Sequence, residues 1–118
     1  MRILIIAIAA LLSLFGAGAA EAHASLDHAE PGAGTTVQTA PPEITLWFTE
    51  SLEPAFSTVE VRDADGAKVD QGKAQTSAAV MHIGLKPLLP GTYQVHWRAT
   101  TVDTHTTEGN FSFHVGQP

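Results

Sequence analysis

The chain of 118 residues contains six histidines, and His23 differs from the others in its position near a predicted cleavage site. If export processing cuts the chain after Ala22, His23 becomes the first residue and carries a free amine. That amine and the imidazole Nδ1 of the same residue can close a six-membered chelate ring on one metal ion. Cu(II) accepts such nitrogen donors in a tetragonal field. The sequence therefore allows a Cu(II) site at His23; the alternative is that a histidine merely follows the cut.

A second pair of candidate donors lies in the segment Asp103-Thr104-His105. In an extended chain, residues i and i+2 project to the same side, about 6.5 to 7 Å apart. Their side chains can then converge on one ion that lies about 2 Å from each donor atom. The segment falls between two predicted strands, at an end of the fold where binding loops are common. Taken alone it is a weak indication, because most such tripeptides are solvated loop residues.

The first 22 residues have the layout of a secretory signal peptide. A short positive start precedes an apolar run of 13 residues (3–15), and residues 16–22 are rich in small side chains. This order is typical of an export signal, and the run is shorter than the about 20 residues of a spanning helix. Ala20-Glu21-Ala22 suits signal peptidase. We expect a signal peptide at 1–22 and one mature domain at 23–118, or 118 − 22 = 96 residues, in the periplasm.

A different cleavage position would change the metal chemistry. Ala22-His23-Ala24 also satisfies the small-residue rule, and a cut after Ala24 would discard the key histidine. The intact mass of the exported chain distinguishes the two products, since only one of them begins at His23.

Composition argues against several classes of function. The net charge is −6 with neutral histidines, and it stays −6 in the mature chain because the signal removes both Arg2 and Glu21. An acidic chain is a poor ligand for nucleic acid or anionic membranes. No second apolar segment is long enough to span a bilayer. Because the chain has no cysteine, thiolate metal sites, cysteine nucleophiles, disulfides and a lipid-bearing cysteine are excluded.

The elements that must position these donors are predicted to be short β-strands. Apolar and polar residues alternate with a period of two at 43–48, 59–62, 81–85, 93–98 and 111–115. Turn-forming residues separate these segments, and a loop or edge crossing is expected at 51–57. About seven short strands in about 100 residues indicate an antiparallel β-sandwich. A small closed barrel of the same strands is the alternative.

Ordered motifs over nearly the whole mature chain, from His23 to Val115, resemble those of the CopC-type periplasmic copper-resistance proteins. The number and order of the motifs make the resemblance specific, and it implies an all-β, Ig-like Greek-key β-sandwich. The motifs are His23-Ala24-Ser25-Leu26, Ala29-Glu30-Pro31, Leu46-Trp47-Phe48-Thr49-Glu50-Ser51-Leu52, Leu89-Pro90-Gly91-Thr92-Tyr93-Gln94-Val95-His96-Trp97-Arg98 and Val102-Asp103-Thr104-His105, followed by Gly109 and Phe113.

The resemblance also implies one Cu(II) per chain in a histidine brace. Its ligands would be the amine and ring of His23, the carboxylate of Asp103 and the ring of His105. Glu50 matches an acidic position near copper in some members, and we expect it beside the ligands or as an occasional ligand. Some members hold Cu(I) in a methionine-rich loop, since thioethers suit that softer ion. Here the mature chain has one methionine, Met81, and it occupies an inward-facing position of a predicted strand. We therefore expect no separate Cu(I) site.

The four other histidines are weaker candidates for metal binding. His82, His96 and His114 occupy outward positions of predicted strands, and His28 follows the first strand. If the hairpin between the last two strands is centred on residue 105, His96 faces His114. Such a pair could bind a metal weakly or respond to pH. Solvated surface histidines are the simpler interpretation.

The leading interpretation is a periplasmic copper carrier or buffer, not an enzyme, that binds one Cu(II) and passes it on. The resemblance implies an inner-membrane copper transporter or other periplasmic copper-resistance proteins as partners. Copper-dependent polysaccharide oxygenases also use a histidine brace, but a carboxylate in the copper plane would block the position that oxygen needs. A metal-free adhesion or assembly module is the third interpretation. A copper titration separates it from the others, because such a module gains no stability from the metal.

Overall fold

The computed structural model describes residues 24–116, so His23 and the expected signal peptide lie outside the described residues. The described part is almost entirely β-structure. It contains one short 3-10 helix, Pro54–Phe56, inside the segment predicted as a loop. No helix in this range is long and apolar enough to cross a membrane. The strands are β1 (Leu26–Glu30), β2 (Thr36–Val37), β3 (Glu43–Phe48), β4 (Thr58–Asp63), β5 (Gln75–Ser77), β6 (Val80–Gly84), β7 (Gly91–Thr100) and β8 (Thr106–Val115).

These strands form two four-stranded sheets. The first has the order β1-β3-β6-β5 and is antiparallel throughout. The second has the order β2-β8-β7-β4, in which only the short β2 runs parallel to its neighbour. Since neighbours in each sheet are mostly not consecutive in the chain, the chain crosses between the sheets, as in Greek-key sandwiches. The predicted all-β, Ig-like Greek-key sandwich is confirmed.

The core is built from the inward residues of alternating strands. In β3, for example, Ile44 and Leu46 are fully buried while Thr45 between them is partly exposed. The predictions of which residues face the core in β3, β4, β6 and β7 are confirmed. The core position of Met81, which is 0% exposed, is confirmed as well. Fully burying one such side chain stabilises the fold by about 1.5–3 kcal/mol. The largest fully buried apolar side chains are Phe113, Ile44, Leu46, Met81, Val61 and Val95.

The β7–β8 hairpin is not centred on residue 105, the arrangement in which His96 would face His114. Thr100 pairs with Thr106, which centres the hairpin on residue 103 instead of 105. A backbone hydrogen bond of 2.8 Å closes the connecting loop at its base, and this closure fixes the register of both strands. His96 therefore lies opposite Asn110, and the expected juxtaposition of His96 with His114 does not occur.

Three segments of the chain meet at one end of the sandwich. The loop between β7 and β8 lies there, and its first residue, Thr101, pairs with Leu52 from the segment that follows β3. The segment before β1 reaches the same end, where the Ala24 carbonyl accepts a hydrogen bond of 2.9 Å from the Thr107 hydroxyl. This end carries the predicted metal-binding residues of the described chain.

Candidate metal centre

The loop between β7 and β8 positions Asp103 and His105. The amide of Thr101 donates to the carbonyl of His105 over 2.8 Å, and the amide of Thr104 donates to the carbonyl of Thr101 over 2.9 Å. Thr104 itself has left-handed backbone, with φ +73°, which β-branched residues rarely adopt. The chain reverses within five residues as a result, and the two predicted donors face each other.

Asp103 and His105 are in direct contact. Asp103 Oδ1 lies 3.3 Å from His105 Nδ1. Two donors about 2 Å from one ion and at a right angle to each other are about 3 Å apart, so the observed separation suits a shared metal. The two side chains are 62% and 47% exposed, and an ion can therefore reach them from solvent.

The pKa of Asp103 is lowered from its ordinary value of 3.8. The largest cause is the hydrogen bond that the Thr101 hydroxyl donates to the carboxyl group, and the hydrogen bond and charge of His105 act in the same direction, while desolvation opposes them. These contacts favour the carboxylate over the neutral acid. Asp103 is thus ionised at neutral pH, as a metal ligand must be.

Thr101 is a residue of this site that the sequence did not single out. It is only 1% exposed. Its hydroxyl donates to Asp103 Oδ1 and accepts a hydrogen bond of 3.2 Å from the amide of His105. The only signal in the sequence is its position two residues before Asp103, which is not distinctive in a threonine-rich segment.

The amino-terminal segment is fixed close to this loop. Ala24 is 2% exposed and bonds to Thr107, which lies two residues after His105. The amide of Ser25 donates to the Thr49 hydroxyl over 2.9 Å, and the amide of Thr49 donates to the Ser25 carbonyl over 2.9 Å. His23, the predicted anchor of the brace, lies outside the described residues, but it is covalently joined to Ala24.

Glu50 lies at the same end of the sandwich and is half-buried. It stands two residues before Leu52, the partner of Thr101 across a single β-bridge. Within residues 24–116, no group of three or more histidine, aspartate or glutamate side chains is close enough to hold a metal ion. The described residues therefore bring together Asp103 and His105 and do not add Glu50 to that pair.

His28 and His82 lie on the outer face of the first sheet. The His28 ring stacks on Trp47 with centroids 4.3 Å apart and planes 7° from parallel, and its Nδ1 lies 2.7 Å from Asp27 Oδ2. His82 Nδ1 lies 3.1 Å from Glu43 Oε1. Both rings have acidic partners on their own sheet and contribute nothing to the loop at the sandwich end.

His96 and His114 lie on the second sheet and are held separately. His96 contacts Asn110 Oδ1 through Nδ1 at 2.8 Å and Glu108 Oε1 through Nε2 at 3.1 Å. His114 Nδ1 lies 2.9 Å from the Thr92 hydroxyl. A metal site shared by these two histidines is therefore not supported, because each ring is directed to a different neighbour.

The fold and this site define a class of protein: a small Ig-like sandwich whose end loop places an aspartate in contact with a histidine. The chain matches the CopC domain over residues 26–116, and it belongs to the CopC family.

Individual relatives and solved structures agree with this assignment. The chain is 37% identical over 103 residues to copper resistance protein C of Xanthomonas campestris pv. juglandis, which covers 80% of each chain. It is 35% identical over 98 residues to protein YobA of Escherichia coli K12, covering 80% of this chain and 79% of YobA. The crystal structure of PcoC, a methionine-rich copper resistance protein from Escherichia coli, matches with a TM-score of 0.72 at 33% identity, covering 80% of this chain and 100% of PcoC.

Proposed function

We propose that this protein is an exported, periplasmic Cu(II)-binding protein that carries or buffers copper in copper resistance or homeostasis. In this proposal residues 1–22 are a cleaved signal peptide, and residues 23–118 are the mature domain. One Cu(II) is the cargo, bound by the amine and ring of His23 together with Asp103 and His105. The observation that carries the proposal is the 3.3 Å contact between Asp103 and His105, at the end of the sandwich where Ala24 is fixed.

The chemistry of the donors favours the cupric ion. Amine, imidazole and carboxylate groups are the nitrogen and oxygen donors that Cu(II) accepts in a tetragonal arrangement, whereas Cu(I) prefers sulfur. The relative PcoC is described as methionine-rich, but this chain has two methionines, and the one in the mature domain, Met81, is fully buried. Copper that becomes reduced should therefore bind weakly here and leave.

The open position of the site favours transfer of copper over catalysis. Both described donors lie on a loop at the end of the sandwich and are about half exposed or more, so the donors of another protein can approach the ion and replace them in turn. The carboxylate of Asp103, as a copper ligand, would also take up a coordination position that an oxygenase needs for oxygen. The partners we propose, from the family resemblance, are an inner-membrane copper transporter and other periplasmic copper-resistance proteins.

The decisive experiment compares the chain that begins at His23 with the same chain carrying one extra glycine ahead of it. The glycine keeps every side chain but moves the free amine, so the chelate ring on His23 is lost. We expect one tightly bound Cu(II) in the first chain and an affinity lower by about 100-fold or more in the second. Loss of a group that only hydrogen-bonds to a metal ligand already lowers metal affinity by about 10- to 100-fold. Chelator competition measures the affinity, and electron paramagnetic resonance compares the ligand sets.

Two controls make the result specific. His28→Ala and His82→Ala remove histidines that lie outside the proposed site, and both should leave copper affinity and the spectrum unchanged. Equal binding and identical spectra in the two chains would contradict the proposal. An intact mass beginning at Ser25, for protein isolated from the periplasm, would contradict it as well.

A further inference from the structure

Thr101 is the most deeply buried polar residue at the metal-binding end of the sandwich. It is 1% exposed, against 7% for its neighbour Thr100. A hydroxyl removed from water in this way is costly unless it finds hydrogen-bonding partners. The partners of the Thr101 hydroxyl are the two proposed copper ligands that the structure describes.

The hydroxyl of Thr101 contacts both ligands through one oxygen atom. It donates its proton to Asp103 Oδ1 and accepts from the amide of His105 over 3.2 Å. The backbone of Thr101 holds the same loop, because its amide donates to the His105 carbonyl over 2.8 Å. One residue therefore orients the carboxyl plane of Asp103 and fixes the backbone that carries the His105 ring.

Threonine is suited to this role because of its stiffness. Its branched Cβ restricts χ1, and burial leaves the side chain little room to turn. The hydroxyl is thus held in place before any ion arrives. Carboxylate ligands of metals are commonly oriented by hydrogen bonds from a second set of residues, and those residues govern affinity strongly.

We propose that Thr101 is a positioning residue that aligns Asp103 and His105 for Cu(II) through its side-chain hydroxyl. This inference rests on the proposed function, since it assigns a role to a group that touches the ligands and not the ion. It predicts that copper affinity depends on the hydroxyl itself and not merely on a filled position at residue 101.

The test replaces the hydroxyl without changing the branched shape of the side chain. Thr101→Val should weaken Cu(II) binding by about 10- to 100-fold, the usual effect of losing a group that orients a metal ligand. It should also change the electron paramagnetic resonance parameters of bound copper, because the carboxylate is no longer held in one orientation. Thr101→Ser keeps the hydroxyl and should restore both the affinity, to within about threefold of the parent chain, and the spectrum.

Thr100→Val is the matched control. Thr100 is also buried, and its hydroxyl donates to the Phe56 carbonyl over 3.0 Å and lies 2.9 Å from the Thr106 hydroxyl. Thr100→Val removes a comparable buried hydroxyl from the adjacent position without touching Asp103 or His105. Thermal unfolding of the metal-free chains shows how much stability each valine costs. We expect copper affinity to fall only for the change at residue 101.

A double-mutant cycle with Asp103→Ala completes the experiment. If the hydroxyl acts through Asp103, Thr101→Val should weaken binding much less in the Asp103→Ala chain than in the parent, since the effects of substitutions at interacting residues are not additive.

Equal affinity and spectra of Thr101→Val and the parent would overturn the inference, as would an equal loss in Thr100→Val. Failure of the parent chain itself to bind Cu(II) would instead contradict the proposed function. If Thr101→Val does not fold, binding by Thr101→Ser decides, and a loss there would overturn the inference.

Discussion

Asp103 shows at the scale of single residues how the loop keeps a proposed copper ligand ionised. The side chain is exposed, yet its pKa lies below the ordinary 3.8, chiefly because the Thr101 hydroxyl donates to it and secondarily because of His105. A lowered folded-state pKa means that this group adds stability that is fully present above 3.8. That stability is lost as the pH falls through the lower folded-state value.

The pKa of Asp103 provides a direct measurement of the Thr101 contact in the metal-free protein. We expect the ¹³C resonance of the Asp103 carboxyl to titrate with a midpoint below 3.8 in the parent chain. Thr101→Val removes the largest cause of the shift, so the midpoint should move up toward 3.8. Thr100→Val should leave it in place. A midpoint that does not move in Thr101→Val would contradict the hydrogen bond as the principal cause.

Asp103 and His105 could be predicted from the sequence, whereas Thr101 could not, and the difference has a physical reason. The i, i+2 spacing indicated a shared ion on the expectation of an extended backbone, whereas in the structure a reversal of the chain brings the two side chains to 3.3 Å. The role of Thr101 depends on the reversal at Thr104, where φ is +73°. A sequence without glycine at that position gives no sign of such a backbone.

At the scale of elements, alternation predicted the long strands and missed the short ones. β3, β4 and β6 bury every second residue, and β7 does so from Tyr93 to Ala99, so a period of two is visible in the sequence. β2 has two residues and β5 has three, which is too short for a period to show. The hairpin register was missed for a related reason, since the hydrogen bonds of the loop set it and not the pattern of the strands.

The pairing of β7 with β8 also depends on a residue without a side chain. Gly109 lies opposite Trp97, and a Cβ at residue 109 would lie 2.6 Å from Cε2 and 2.8 Å from Nε1 of the indole. The indole packs edge-on against Phe48 with centroids 5.1 Å apart. Gly109 therefore provides the space that Trp97 needs to pack against Phe48 of the other sheet. Trp97 lies three residues before Thr100.

Gly109→Ala should accordingly displace Trp97 and destabilise the fold by about 1–3 kcal/mol, the usual cost of overpacking a core. Chemical unfolding measures the cost, and tryptophan fluorescence with near-ultraviolet circular dichroism reports the movement of the ring. Gly84→Ala is the matched control, because its Cβ would meet only the flexible end of Gln71. We expect that change to stay within about 0.5 kcal/mol. Similar effects of the two alanines would contradict this account.

At the scale of the whole molecule, the proposed copper site joins parts of the chain that belong to different sheets. His23 directly precedes the segment that leads into β1 of the first sheet, whereas Asp103 and His105 lie between β7 and β8 of the second. The described residues already show one contact of this kind, from Thr107 to Ala24. With no cysteine in the chain, a bound metal would be the strongest single link between these segments.

Copper should therefore stabilise the mature domain against unfolding in proportion to its affinity. A ligand that binds only the folded state adds about 4 kcal/mol at a free concentration about 1,000 times its Kd. For the proposed mature domain of 118 − 22 = 96 residues, each kcal/mol raises Tm by about 4–8 °C. Differential scanning calorimetry at fixed protein concentration should show this rise with Cu(II) and its reversal by a chelator. The glycine-extended chain and Asp103→Ala should lose most of the rise at the same copper concentration. A full rise in both would mean that copper stabilises the fold from somewhere other than the end loop.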